Sequence, residues 1–178
     1  LEGLGRMSDL KNLELNVEGI EDISSLAKYG ATSLKSLSLN VNKIHPDLRC
    51  FRILPSLEQL SLKDNQITSL IGLWEMDFLR ELHVENNRLR NLNPLRNPTH
   101  CPAHPLTHLY ADANQIENLP NCVAEESSTP FLLVLSLRNN KIKLVPSLFL
   151  RGLKSLISLD LGGNRIYQDT FLGEALSS

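Results

Sequence analysis

Residues 57–67 read Leu57-Glu58-Gln59-Leu60-Ser61-Leu62-Lys63-Asp64-Asn65-Gln66-Ile67. Leu57, Leu60, Leu62, Asn65 and Ile67 fit the pattern L-x-x-L-x-L-x-x-N-x-L. Leu60-Ser61-Leu62 has the two-residue period of a strand with one face buried. Asn65 falls where the chain must leave that strand, and a side-chain amide there can bond the open backbone groups of a turn. Working outward, the pattern recurs on both sides. Upstream it begins at Leu10 (with Glu18 in the Asn position) and at Leu34. Downstream it begins at Leu79, Leu106, Leu132 and Leu156. The Asn recurs as Asn42, Asn87, Asn114, Asn140 and Asn164. A unit this short cannot bury its own leucines, so neighbouring units must stack and share one core.

The composition agrees. Of 178 residues, 37 are Leu and 16 are Asn, while aromatics make up only 5%, so the chain asks for one environment repeatedly. The net charge is 18 − 20 = −2, which argues against a surface built chiefly for nucleic acid. No uninterrupted apolar run approaches the length of a membrane span. The three cysteines, Cys50, Cys101 and Cys122, are odd in number and far apart, which is not a disulfide framework. No glycosylation acceptor occurs, because Pro98 blocks Asn97-Pro98-Thr99. These features lead us to expect a reducing, cytoplasmic setting.

Seven registered copies resemble the leucine-rich-repeat family over essentially the whole chain. The resemblance implies an α/β solenoid of about seven repeats, with a curved parallel sheet on its concave side and short helical, 3₁₀ or irregular turns on its convex side. Leu70, Leu73 and Met76 stand three apart after Ile67, which suits a 3₁₀ turn. Such spacing is similar to the 22-residue subclass named for a regulatory subunit of protein phosphatase 1. Repeat six, with Val145-Pro146, Leu150 and Leu153, resembles the 24-residue typical subclass, so the subclass reads as mixed. Leu1, Leu4 and Met7 read as the tail of a preceding repeat over residues 1–9. We therefore expect a single domain over 1–178 that is a segment of a longer protein.

Catalytic signatures are missing: no nucleophile elbow, phosphate-binding loop, H-E-x-x-H or C-x-x-C appears. We expect neither an enzyme nor a cofactor. The one metal-like cluster is His100-Cys101-Pro102-Ala103-His104, with His108 beyond it and Cys122 in the next insertion. It lies in a proline-rich insertion, and we read it as a solvated surface loop with no metal. The insertions Asn97–Pro105 and Asn121–Pro130 lengthen two adjacent repeats as surface loops, and Glu125–Thr129 reads as solvated. Trp74 reads as packing on the convex side.

Function must then lie in the residues that are not Leu. Positions three, five and seven of each strand point away from the core. Repeats four and five bring together Glu81, His83, Glu85, His108, Tyr110 and Asp112 there, with Lys63 and Arg138 flanking. A tyrosine beside charged groups is the composition that dominates interface energies. The expectation is a protein-interaction module that binds a partner with a basic surface on this face. As a scaffold or regulator of an enzyme, it needs neither nucleic acid nor membrane insertion. The alternatives are a receptor or adhesion ectodomain, and the recognition arm of a larger kinase, GTPase or ubiquitin ligase.

Overall fold

The computed structural model describes residues 8–24, 26, 31–44, 46–95, 103–120 and 129–167. Each repeat contributes one three-residue strand: β1 (Asn12–Glu14), β2 (Ser36–Ser38), β3 (Gln59–Ser61), β4 (Glu81–His83), β5 (His108–Tyr110), β6 (Val134–Ser136) and β7 (Ser158–Asp160). They form one parallel sheet in chain order, in a single register that runs Leu13, Leu37, Leu60, Leu82, Leu109, Leu135, Leu159. The register follows from the sequence. A one-residue slip would turn each leucine column outward and expose it.

Behind the sheet, the position-four leucines from Leu37 to Leu135 are buried, and the end ones, Leu13 and Leu159, are half-buried. Each fully buried leucine is worth about 1.5–3 kcal/mol, so stacking is the main stabilising term. The returning chain closes the core through 3₁₀ turns at Ala31–Ser33, Arg49–Ile53, Leu73–Glu75 and Asn93–Leu95. Repeat six instead uses a six-residue helix, α1 (Ser147–Gly152). This follows the spacing difference seen in the sequence: Leu73 packs inward from the 3₁₀ turn and Phe149 from α1.

The asparagine column is scaffold, as expected, but half of its partners lie in the neighbouring repeat. Asn65 accepts the Ile44 backbone N–H at 3.0 Å and donates to Leu39 O at 2.8 Å, both in repeat two. Asn87, Asn114, Asn140 and Asn164 repeat the arrangement on Ile67, Leu89, Ile116 and Ile142. The residue before each ladder position (Glu18 in repeat one, Asn in the others) is left-handed throughout: Val17, Val41, Asp64, Asn86, Ala113, Asn139 and Gly163 have φ between 52° and 72°. This turn demands a positive φ whatever residue occupies it. The valines at 17 and 41 are the strained occupants, since a β-branched side chain is the least suited to that conformation. Residues 1–7, most of the two insertions and the stretch after Tyr167 lie outside the described residues. So do His100, Cys101, Cys122 and Glu125–Ser128.

Candidate partner-binding face

The register places the side chains of Glu81, His83, His108 and Tyr110 on two adjacent strands, with Glu81 opposite His108 and His83 opposite Tyr110. His83 Nε2 lies 2.8 Å from Glu81 Oε1, and His83 Nδ1 lies 3.2 Å from Glu85 Oε1. Both ring nitrogens thus face carboxylate oxygens, and only the imidazolium donates to both. Burial opposes the charged ring, but the hydrogen bonds to Glu85 and Glu81 outweigh it, and the His83 pKa lies above the ordinary histidine value. The Tyr110 ring lies flat against this imidazole, with centroids 4.4 Å apart at 10°, a cation–π geometry.

Around that stack the charges alternate. Lys63 Nζ lies 3.0 Å from Glu85 Oε1, and Gln59 Nε2 donates to Glu81 Oε2 at 3.0 Å. For Glu85, burial raises the carboxyl pKa, but bonds from His83, its own backbone and Lys63 outweigh this and hold it below the usual range. Its second oxygen, Oε2, is covered and has no donor among the described residues. His108 is held to one side. The Thr107 hydroxyl donates to Arg80 O at 2.9 Å, so His108 Nδ1–H donates to Thr107 Oγ1, also at 2.9 Å. Its ring lies 6.4 Å from that of Tyr110.

The remaining two expected contributors do different work. Asp112 Oδ1 accepts the Ser136 hydroxyl at 2.6 Å and the Arg138 backbone N–H at 2.8 Å, so it ties repeat five to repeat six. Asn16 and Asn40 make the same bonds from the same position in repeats one and two. Sequence reasoning missed this second, shorter ladder; its signal is an Asn or Asp at position seven followed by Ser at position five of the next repeat. Arg138 is exposed and leans toward Asp160 at 3.8 Å. Lys63, Glu81, His83, Glu85 and Tyr110 therefore form one cluster, with His108 beside it and Asp112 and Arg138 on the scaffold next door.

The reading of the His100–His104 segment as solvated is corrected at His104, which is 3% exposed. His104 Nε2–H donates to Leu73 O at 2.9 Å, and Nδ1 accepts the Leu106 N–H at 3.2 Å. Both nitrogens are spent, so this histidine is a structural strut. Its ring meets Trp74 edge-on at 5.4 Å, and Trp74 Nε1 donates to Pro94 O at 2.8 Å, which bears out the convex-side packing of the tryptophan. Among the described residues, no group of three or more His, Cys, Asp or Glu is placed to hold a metal ion.

The two histidines respond oppositely to pH. Burial lowers the His104 pKa below that of the unfolded chain, so its stabilisation is present above about pH 6.5 and lost as pH falls. His83 has a raised pKa, so its stabilisation is full below about pH 6.5 and lost as pH rises through the folded value. Urea melts of parent and His83→Gln should therefore differ more at mildly acidic than at mildly alkaline pH. The His83→Gln chain should lose stability more steeply on acidification than the parent does. A difference between the two that is independent of pH would refute the imidazolium bridge.

No family model matches the chain. Chicken epiphycan is 35% identical over 114 residues, which is 62% of this chain and 33% of that protein. Bovine leucine-rich repeat-containing protein 23 is 32% identical over 114 residues, 64% of this chain and 30% of that protein. The chain thus spans about a third of the length of the curated relatives it matches. Among solved structures, an internalin of Listeria monocytogenes superposes with a TM-score of 0.75 at 28% identity, covering 99% of this chain and 48% of that one. Internalin C2 of the same bacterium gives 0.68 at 29%, with 89% and 64% covered. A Leptospira interrogans leucine-rich-repeat protein gives 0.59 at 30%, with 90% and 45% covered. Proteins built this way generally serve as protein-interaction modules. The motif, the single strand register, the asparagine ladder and these likenesses agree that the chain is a leucine-rich-repeat solenoid.

Proposed function

We propose that this chain is a non-catalytic interaction module that seats a basic protein surface on the strand face around Tyr110. The observation that carries the reading is the His83–Tyr110 stack, bracketed by Glu81 and Glu85. The stack is half-buried before any partner arrives, so little rotamer freedom is lost on binding, and rigid aromatics of this kind make hot spots. Positions three, five and seven carry Glu14, Glu81, Glu85, Asp112 and Asp160 against Lys63 and Arg138, so the face stays acidic even with His83 charged.

In this reading the chain scaffolds or regulates an enzyme in the cytoplasm. The turn spacing similar to that of the phosphatase regulator and the free, half-buried Cys50 thiol support it. Among the described residues, no helix is long and apolar enough to cross a membrane. To test the binding face, a basic protein captured by a photo-crosslinker at His108 is titrated calorimetrically against the chain. Tyr110→Ala should weaken it by about 2 kcal/mol, roughly 30-fold, while Ser36→Ala leaves it unchanged. An unaltered affinity in Tyr110→Ala sinks the proposal.

A further inference from the structure

The near-zero net charge conceals a strong asymmetry. Just past the asparagine ladder, positions ten and twelve of each repeat stack in two columns along the edge of the solenoid. The N–H of each position-ten residue bonds the preceding repeat, as in Arg88 to Ile67 O, Lys141 to Ile116 O and Arg165 to Ile142 O. At position twelve, Glu117 N–H bonds Arg90 O and Tyr167 N–H bonds Lys143 O. Across repeats four to seven, this edge carries Arg88, Arg90, Lys141, Lys143 and Arg165 against the single acid Glu117, a sum of 5 − 1 = +4. The whole chain sums to −2, so everything else sums to −6. None of the five cations has a carboxylate partner among the described residues, and all but Lys141 are exposed.

The middle of the edge is hollowed into a polar groove of about 480 Å³, where Arg90 and Lys141 flank Asn91, Asn93, Gln115, Asn118 and the one acid, Glu117. Its floor is fixed, because the backbones of Asn91 and Asn118 pair as an isolated parallel bridge between repeats four and five. Five unneutralised cations destabilise one another across solvent unless an anion arrives. Natural surfaces interleave acids with such a row, as Glu21 does with Lys43 in the first two repeats.

We propose that this edge is a second binding surface, separate from the strand face, and that its occupant is an extended acidic segment of a protein. Two features select a peptide over a nucleic acid. Glu117 interrupts the cation row at repeat five, where an unbroken phosphate backbone would be repelled and a peptide can place an uncharged residue. The amides between the cations donate and accept, which matches the alternating N–H and C=O of an extended chain; stacking platforms for bases are missing from the groove. Repeats stack about 4.8 Å apart, so Arg88 and Lys141, two repeats apart, start roughly 10 Å apart, and their long flexible side chains can close on carboxylates about 7 Å apart on alternate residues of a strand-like peptide. The surface does not depend on the proposed strand-face site, so the chain can hold a basic partner and an acidic one at once.

The test is fluorescence anisotropy with a labelled peptide of alternating Glu and Ser, at low and at physiological salt. The parent chain should bind it, more weakly as salt rises. The triple charge reversal Arg88→Glu, Lys141→Glu, Arg165→Glu should weaken binding by about tenfold or more. Tyr110→Ala should bind the peptide as the parent does, which separates this surface from the strand face. Circular dichroism of the triple variant should match the parent, because Arg88 and Arg165 are exposed and Lys141 lines an open groove. If that variant loses its fold, the paired neutral variant Arg90→Gln, Lys143→Gln carries the test, with a smaller loss expected. Equal binding by variant and parent overturns the proposal. So does tighter binding of a thymidine oligonucleotide or of phosphatidylserine vesicles than of the peptide at physiological salt.

Discussion

Gly72→Ala is expected to melt roughly 10 °C below the parent chain, although it adds only one methyl group to a convex-side turn. Gly72 stands at φ 97°, just ahead of the 3₁₀ turn that carries Leu73 into the core. A β-carbon built there would lie 2.4 Å from the Arg49 backbone nitrogen and 2.6 Å from the Leu48 carbonyl carbon. Those atoms are backbone, held by the Leu48 N–H bond to Ile71 O at 2.8 Å and by a fully buried Leu48 side chain. They cannot move aside without prising repeat two from repeat three on the convex side. Left-handed strain of about 1–2 kcal/mol and overpacking of about 1–3 kcal/mol together give about 2–5 kcal/mol. Gly19→Ala provides the comparison. Gly19 has φ 67° and nothing within 4 Å of a β-carbon, so that variant bears the strain alone. Thermal melts of both should separate by several degrees, and equal melting temperatures would show that the convex contact yields.

Asn87→Leu, which keeps the branching at Cγ and replaces the amide O and NH₂ by methyl groups, is expected to lose about 3–5 kcal/mol. The Asn87 amide accepts the buried Ile67 N–H at 2.9 Å and donates to Leu62 O, Val84 O and Glu85 O at 2.8–3.1 Å. Leucine makes none of these bonds, and each backbone group stranded away from water costs about 1–3 kcal/mol. Hydrophobicity alone predicts the opposite sign, because position 87 is buried and leucine is the residue the core prefers. Denaturant titration decides between the two. A loss under about 1 kcal/mol would mean that water enters and takes over the bonds. Asn87→Asp keeps the acceptor toward Ile67 and loses the donor, so it should fall short of the parent too.

The fold was legible because Leu60, Ser61 and Leu62 are one sample of a seven-fold pattern, and repetition turns a weak local period into an architecture. The left-handed residue before each asparagine was not legible, because no residue type marks it. Val17 and Val41 are forced into the conformation that Gly163 adopts without strain, so geometry and not propensity sets it. His104 was misread for a related reason. Histidine among prolines has no periodicity to betray burial, and only Trp74, a distant residue on another repeat, makes the pocket that takes it. At the candidate site, strand period alone assigned Glu81, His83 and Tyr110 to one face. Which carboxylates were already engaged depended on side-chain reach between repeats: Lys63 to Glu85, and Asp112 to Ser136. The basic edge escaped notice because a sum of charges records no position.

The asparagine ladder has a direction. Every amide reaches back to the repeat before it, never forward, so each repeat relies on its successor to satisfy its turn. Removing the first repeat costs the Asn42 amide its bonds to Glu18 N–H, Ile20 N–H and Leu15 O, and Lys43 N–H its bond to Ile20 O, but the asparagine bonds to the turns of repeats two to six survive. Removing the seventh takes away Asn164, strands the buried-side Ile142 N–H and leaves Leu137 O with the Asn140 amide alone. Shortening this solenoid from its two ends is therefore not equivalent, and repeats are not interchangeable bricks. A deletion or transplant that respects the strand register still fails if it leaves a donor repeat without the follower whose side chain completes it.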